Sequence, residues 1–105
     1  MSKIVLVLSN ATNLAASIST IRQFINVPIL QLKADIEKGK PIYEATLFQN
    51  DKDEVEKKLM GIINNCEALG DKIKMYELAE DEPYLPEESV DFVRISKEYL
   101  INIMD

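Results

Sequence analysis

The order in which the hydrophobic rhythm changes along this chain constrains its fold more than any single residue does. Five consecutive apolar residues, Ile4-Val5-Leu6-Val7-Leu8, read as a strand that is central in a sheet or covered on both faces. Helical spacing follows. Leu14, Ile18, Ile21 and Ile25 recur at intervals of four, three and four, after Ser9, Asn10, Thr12 and Asn13 have offered N-cap oxygens. Asn26-Val27-Pro28 interrupts this stripe, because proline disfavours helical geometry at Val27 and suits the first turn of a new helix, in which Ile29, Leu32 and Ile36 face inward. Gly39 and Pro41 end that helix.

Residues 42–48 read as a second strand, Ile42, Thr46 and Phe48 alternating against Tyr43, Ala45 and Leu47, with Glu44 on the first of those faces, as an edge position tolerates. Asp51 can cap the next helix and Glu54, three residues on, completes a capping box. Val55, Leu59, Ile62, Ile63, Cys66 and Leu69 make its buried face, Gly70 ends it, and residues 72–78 form the next strand with Ile73 and Met75 on one side. Residues 79–86 are an acidic connector punctuated by Pro83 and Pro86. A last helix is expected over residues 87–104, with Phe92, Ile95, Tyr99 and Ile103 on one stripe and Val90, Val93, Leu100 and Met104 on a neighbouring one. That wide apolar face is expected to pack on the open side of the sheet; the alternative is that it leaves apolar area for another chain. The pattern predicts a single α+β domain over residues 1–105: a three-stranded antiparallel sheet packed against helices, in the order β-α-α-β-α-β, with an extra C-terminal helix.

Composition narrows the function. With 47% apolar and 29% charged residues the chain can build a core, and its first apolar run is too short for a secretory or membrane-spanning segment, so the cytosol is the expected compartment and no membrane is expected as partner. The net charge of −6 is unevenly spread. Residues 1–49 hold five basic against three acidic side chains, net +2, whereas residues 50–105 hold seven against fifteen, net −8. Such a balance repels phosphate backbones and favours a basic protein partner over nucleic acid, although acidic residues also serve solubility alone. There is no histidine, the side chain most often used for proton transfer near neutral pH, and neither a serine nor Cys66 has an apparent base. Cys66 reads as an inert core thiol. Glu80, Asp81, Glu82, Glu87 and Glu88 lack the spacing and central glycine of a calcium loop, and Gly39, Gly61 and Gly70 are too dispersed to cradle a phosphate. No enzyme, metal or cofactor is expected.

The succession of elements over residues 3–78 resembles the C-terminal domain of the bacterial ribosomal stalk protein, which binds translational GTPases, and the related scaffold of the adaptor that hands N-degron substrates to Clp proteases. Ser17-Ile18-Ser19-Thr20-Ile21-Arg22 looks like the stalk domain's first helix, which carries an apolar and basic factor-binding surface, and Lys33, Ile36 and Glu37 lie where its second helix has a lysine and a Val-Glu end. Asn13 and Ser19 stand where that domain has lysines, leaving Arg22 and Lys33, and its glycine-rich joint is replaced by Asn26-Val27-Pro28. The adaptor's Asn-Asp-Asp approach, which captures a substrate amine, is replaced by Ser9-Asn10-Ala11.

Two competing readings of the recognition surface follow, the first leading and the second its alternative. In the first, a small acidic protein docks a basic partner, most concretely as an immunity protein neutralising a cationic bacterial toxin. Glu80, Asp81, Glu82, Glu87, Glu88 and Asp91 steer association, and Tyr84 and Leu85 supply the apolar anchor; for Tyr84 the alternative is a plug that packs the connector onto the core. In the second, which the stalk and adaptor resemblance implies, Ile18, Arg22 and Lys33 on the two leading helices bind a translation factor or a protease component.

Overall fold

The computed structural model describes residues 2–46, 52–84 and 93–104. Its elements run β1 (Ser2–Asn10), α1 (Leu14–Ile21), α2 (Ile29–Lys38), β2 (Tyr43–Thr46), α3 (Lys52–Ala68), β3 (Lys72–Ala79), β4 (Arg94–Ile95) and α4 (Lys97–Met104). The class is α+β, and the sheet has four antiparallel strands in the order β2-β1-β3-β4 rather than the expected three. β1 is interior: Leu6 lies opposite Tyr43 on one side and Met75 on the other. Its apolar run is buried on both faces. Ile4, Leu6 and Leu8 belong to the main core with residues of all four described helices, while Val5 and Val7 join Tyr76 and Leu78 in a second cluster on the far face. Alternating strand geometry sends adjacent side chains to opposite faces, so a continuous apolar strand demands two covers.

The two leading helices meet at a tight corner. Asn13 caps α1 through its side-chain oxygen, which accepts the Ala16 N–H. α1 stops at Ile21, one turn short of the expected Ile25, because the Gln23 and Phe24 N–H groups donate to the carbonyls of Thr20 and Ile21 three residues back, tightening the last turn. Pro28 (φ −58°, ψ 143°) stands before α2, and Gly39 closes it at φ 70°, with the Lys40 N–H bonded to the Asp35 carbonyl at 2.8 Å. Of the three α2 residues expected to face inward, Leu32 is buried and Ile36 half-buried, but Ile29 is 51% exposed.

β2 is shorter than its apolar alternation predicts. Ile42 lies in a bend before it, donating its N–H to the Leu6 carbonyl, and Ala45 is the inward residue opposite Ile4; Leu47 and Phe48 fall outside the described residues, as does the expected cap Asp51. Glu44 points outward and pairs with Lys3 at 3.3 Å, which resolves its apparent misplacement. α3 buries Val55, Leu59, Ile62, Ile63 and Cys66 as its spacing predicts, whereas Leu69 is exposed in the turn where Gly70 takes φ 88°.

The expected helix over residues 87–104 is corrected over its described part. Arg94 and Ile95 pair with Tyr76 and Met75 as β4, and the helix starts only at Lys97, where the Ser96 hydroxyl oxygen accepts the Tyr99 N–H. Helical spacing of Ile95, Tyr99 and Ile103 masks this break, since a serine cap and the edge of β3 decide the boundary. α4 sits on the same face as the other helices, not on the opposite one, with Leu100 and Met104 in the main core. Lys97 to Glu67 (3.0 Å) and the Tyr99 hydroxyl to Glu77 (2.9 Å) pin it. Tyr99 itself is exposed, and that bond to a carboxylate raises its pKa.

Gly61 lies inside α3, where glycine weakens a helix by about 1 kcal/mol relative to alanine. The Phe24 ring explains it. A Cβ at Gly61 would come within 3 Å of three Phe24 ring atoms, so this absent side chain is what admits the ring between the α1 corner and α3. Gly61→Ala is expected to lower stability by roughly 1–2 kcal/mol in urea unfolding, against its helix propensity, and Gly61→Ala combined with Phe24→Leu to recover part of the loss.

A candidate docking groove between the first two helices

Leu14, Ile18 and Arg22 recur on one side of α1 and its C-terminal corner, and Ile29 and Lys33 face them from α2. Together they border an open groove of about 740 Å³. Ile18, only 6% exposed, forms part of the apolar lining, and Leu30, 79% exposed, stands beside Ile29 at the start of α2. Proline forces the chain to restart the helix here, and of the adjacent Ile29, Leu30 and Leu32 only Leu32 is fully buried. Arg22 donates its Nε–H to the Val27 carbonyl at 3.0 Å. This bond fixes the plane of the guanidinium and leaves the terminal nitrogens to meet a carboxylate. Neither Arg22 nor Lys33 forms an ion pair among the described residues.

The structure thus brings Ile18, Arg22 and Lys33 to one groove. It treats the acidic residues differently. Glu80 and Asp81 are exposed in the turn after β3, while Glu82 folds back, its N–H on the Ala79 carbonyl and its carboxylate accepting the Ala79 N–H at 3.2 Å. Tyr84 is half-buried, its ring 5.2 Å from that of Tyr76 at 35°, and packs with Val93 on Val5, Val7 and Leu78. It is the plug rather than a free anchor. Leu85, Glu87, Glu88 and Asp91 lie outside the described residues.

Sequence spacing assigns inward Leu14, which is half-buried against the core and also lines the groove, and it assigns Ile29 to the core and passes over Leu30. The signal that could have marked them is the Ile29-Leu30 pair directly after Pro28, since two neighbouring helical residues cannot both face one core. A second feature that spacing does not reveal is Asp71, buried under α1. No cluster of three or more His, Cys, Asp or Glu side chains fit to hold a metal occurs among the described residues, and no described helix is long and apolar enough to cross a membrane. Compared with protein-family models, with curated proteins and with solved structures, the chain gives no match.

Cys66 of α3 is fully buried in the main core. Burial, reinforced by the nearby Asp71 carboxylate, pushes its thiol from 9.0 up to about 11. Below pH 9 the thiol is protonated in both folded and unfolded chains and contributes no pH dependence. Between pH 9 and 11 the unfolded chain releases a proton that the folded chain retains, so stability falls as pH rises, by roughly 2–3 kcal/mol across the window. Urea unfolding at pH 8, 9, 10 and 11 is expected to show a flatter decline for Cys66→Ala than for the wild type, the tyrosine titrations being common to both. At pH 8 a disulfide reagent should leave native Cys66 unmodified and titrate one thiol in urea.

Proposed function

We propose that this chain is a protein-recognition module of the cytosol, not an enzyme, and that the α1–α2 groove docks an apolar segment of a partner that carries carboxylates. The observation that supports it is the conjunction at one place of an apolar lining, an arginine held by the Val27 carbonyl and a second cation, neither of them in an ion pair among the described residues. Buried apolar contact supplies residence time, and a fixed guanidinium supplies register by bidentate pairing. This reading is the stalk-like or adaptor-like alternative stated in physical terms: a translation factor or protease component is the kind of partner that the resemblance implies. Nucleic acid fits it poorly, since the whole chain is at −6.

A second reading, a basic partner such as a cationic toxin on the acidic turn, is favoured by the exposure of Glu80 and Asp81 in a half of the chain that carries −8. Its weakness is the anchor, because Tyr84 is engaged on the sheet. Selection of random 12-residue peptides on the immobilised chain separates the two. Peptides enriched in apolar residues with Asp or Glu are expected, with affinity falling about tenfold or more in Arg22→Glu and Lys33→Glu and unchanged in Glu80→Lys. Enrichment of Lys- and Arg-rich peptides that are lost only in Glu80→Lys would overturn the groove in favour of the acidic turn.

A further inference from the structure

Asp71 is 5% exposed, and no cation pairs with it among the described residues. Burying a carboxylate carries a large desolvation cost, so its hydrogen bonds have to be good and its position has to matter. One oxygen accepts the Thr12 N–H at 3.0 Å and the other accepts the hydroxyl of Ser17, itself fully buried in the first turns of α1. Thr12 adds a further bond to the same α3–β3 turn, its Oγ1 donating to the Gly70 carbonyl, while beside it Ser9 Oγ in β1 donates to the Lys72 carbonyl in β3. The turn between α3 and β3 is thereby clamped to the start of α1. A carboxylate beside the first turn is also on the side that the helix dipole favours.

α1 has eight residues, too few to hold a helical geometry without tertiary support. Ile18 and Ile21 bury one side of it, but apolar contacts are non-directional and leave rotation about the helix axis and tilt at its start loosely fixed. Hydrogen bonds are directional. Thr12 and Ser17 lie on either side of Leu14 and Ala15, which line the groove wall, and Ser17 directly precedes Ile18. Fixing Thr12 and Ser17 fixes that wall.

We infer that Asp71 is a positioning residue for the α1–α2 groove: through Thr12 and Ser17 it sets where the α1 wall stands. The inference rests on the groove reading for its consequence in binding, but not for its consequence in the structure. The test is amide hydrogen exchange on the full chain together with the affinity of the tightest peptide from the selection above, for the wild type, Asp71→Asn, Asp71→Ala and Ser17→Ala. In Asp71→Ala and Ser17→Ala the amides of residues 14–21 are expected to exchange at least about tenfold faster while those of α3 and the sheet keep their protection, and the peptide to bind about tenfold more weakly. Asp71→Asn keeps a carbonyl for Thr12, and the Ser17 hydroxyl can turn to accept from the amide, so both readouts should stay within about twofold of the wild type. Uniform loss of protection across α1, α3 and the sheet in Ser17→Ala would show general stability only and overturn the inference, as would unchanged α1 exchange. If Asp71→Ala fails to fold, Ser17→Ala and Asp71→Asn carry the same comparison. Failure to select any peptide on the wild type would sink the groove reading while the exchange data still decide the role of Asp71.

Discussion

Ile4, Leu6 and Leu8 lie beneath the helices while Val5 and Val7 lie on the opposite face, so burying β1 needs two covers of different kinds. Each fully buried aliphatic side chain of this size contributes roughly 1.5–3 kcal/mol, which makes five in a row a dominant commitment for a chain of this length. The thick cover is helical and draws on α1, α2, α3 and α4. The thin cover, among the described residues, is Tyr84 and Val93, laid upon Val5, Val7 and their β3 neighbours Tyr76 and Leu78. Tyr84 is therefore recruited by the fold. With Tyr84 engaged, the exposed Glu80 and Asp81 are left without that apolar anchor, and charge without an anchor speeds encounter more than it prolongs a complex.

The helical cover leaves the opening on which the functional reading turns. α1 ends early, Pro28 restarts the chain, and α2 sends Leu32 alone fully into the core. Apolar residues that a longer, better-seated helix would bury are left at the surface as Ile29 and Leu30. Leu30 and Ile29 are the two most exposed large apolar side chains among the described residues and stand next to each other, and the proposed docking in the adjoining groove with Arg22 and Lys33 gives that exposure a use. The α1 side of the groove depends on a clamp that is polar and buried, the α2 side on Leu32 and a glycine-closed helix end.

Periodicity made most of the architecture legible. The unbroken run of residues 4–8 marks an interior strand, and Val55, Leu59, Ile62, Ile63 and Cys66 mark α3, because these elements are long or uninterrupted and their burial obeys a single period. β4 was hidden because two residues suffice to extend an antiparallel edge and their spacing also fits a helix, so the boundary fell to Ser96, a local hydrogen bond that hydropathy does not register. Leu69 and Ile29 read as inward for the same reason in reverse: each follows its helix's apolar stripe but sits at an end, where the chain turns away from the core. Of the groove, Ile18, Arg22 and Lys33 were readable as a surface only through the stalk resemblance. The pairing of Ser17 with Asp71, 54 positions apart, has no local signature at all.

The charge distribution bears on which surface can act as a site. At physiological ionic strength the screening length is about 8 Å, so a net −6 acts on approach while the cations within a few ångströms act on contact. A partner segment with carboxylates is repelled by the whole and held by the part, two effects that salt screens together and that therefore oppose each other in the salt dependence. A basic partner on the turn at Glu80 and Asp81 has both effects in the same direction and loses both as salt rises. On the proposed reading, association at the groove depends little on steering and mostly on the fit of an apolar segment against Ile18 and Ile29, with Arg22 and Lys33 selecting its register. A surface of that kind discriminates by shape and by the placement of one or two carboxylates, which suits a partner met at high local concentration rather than one captured by long-range attraction.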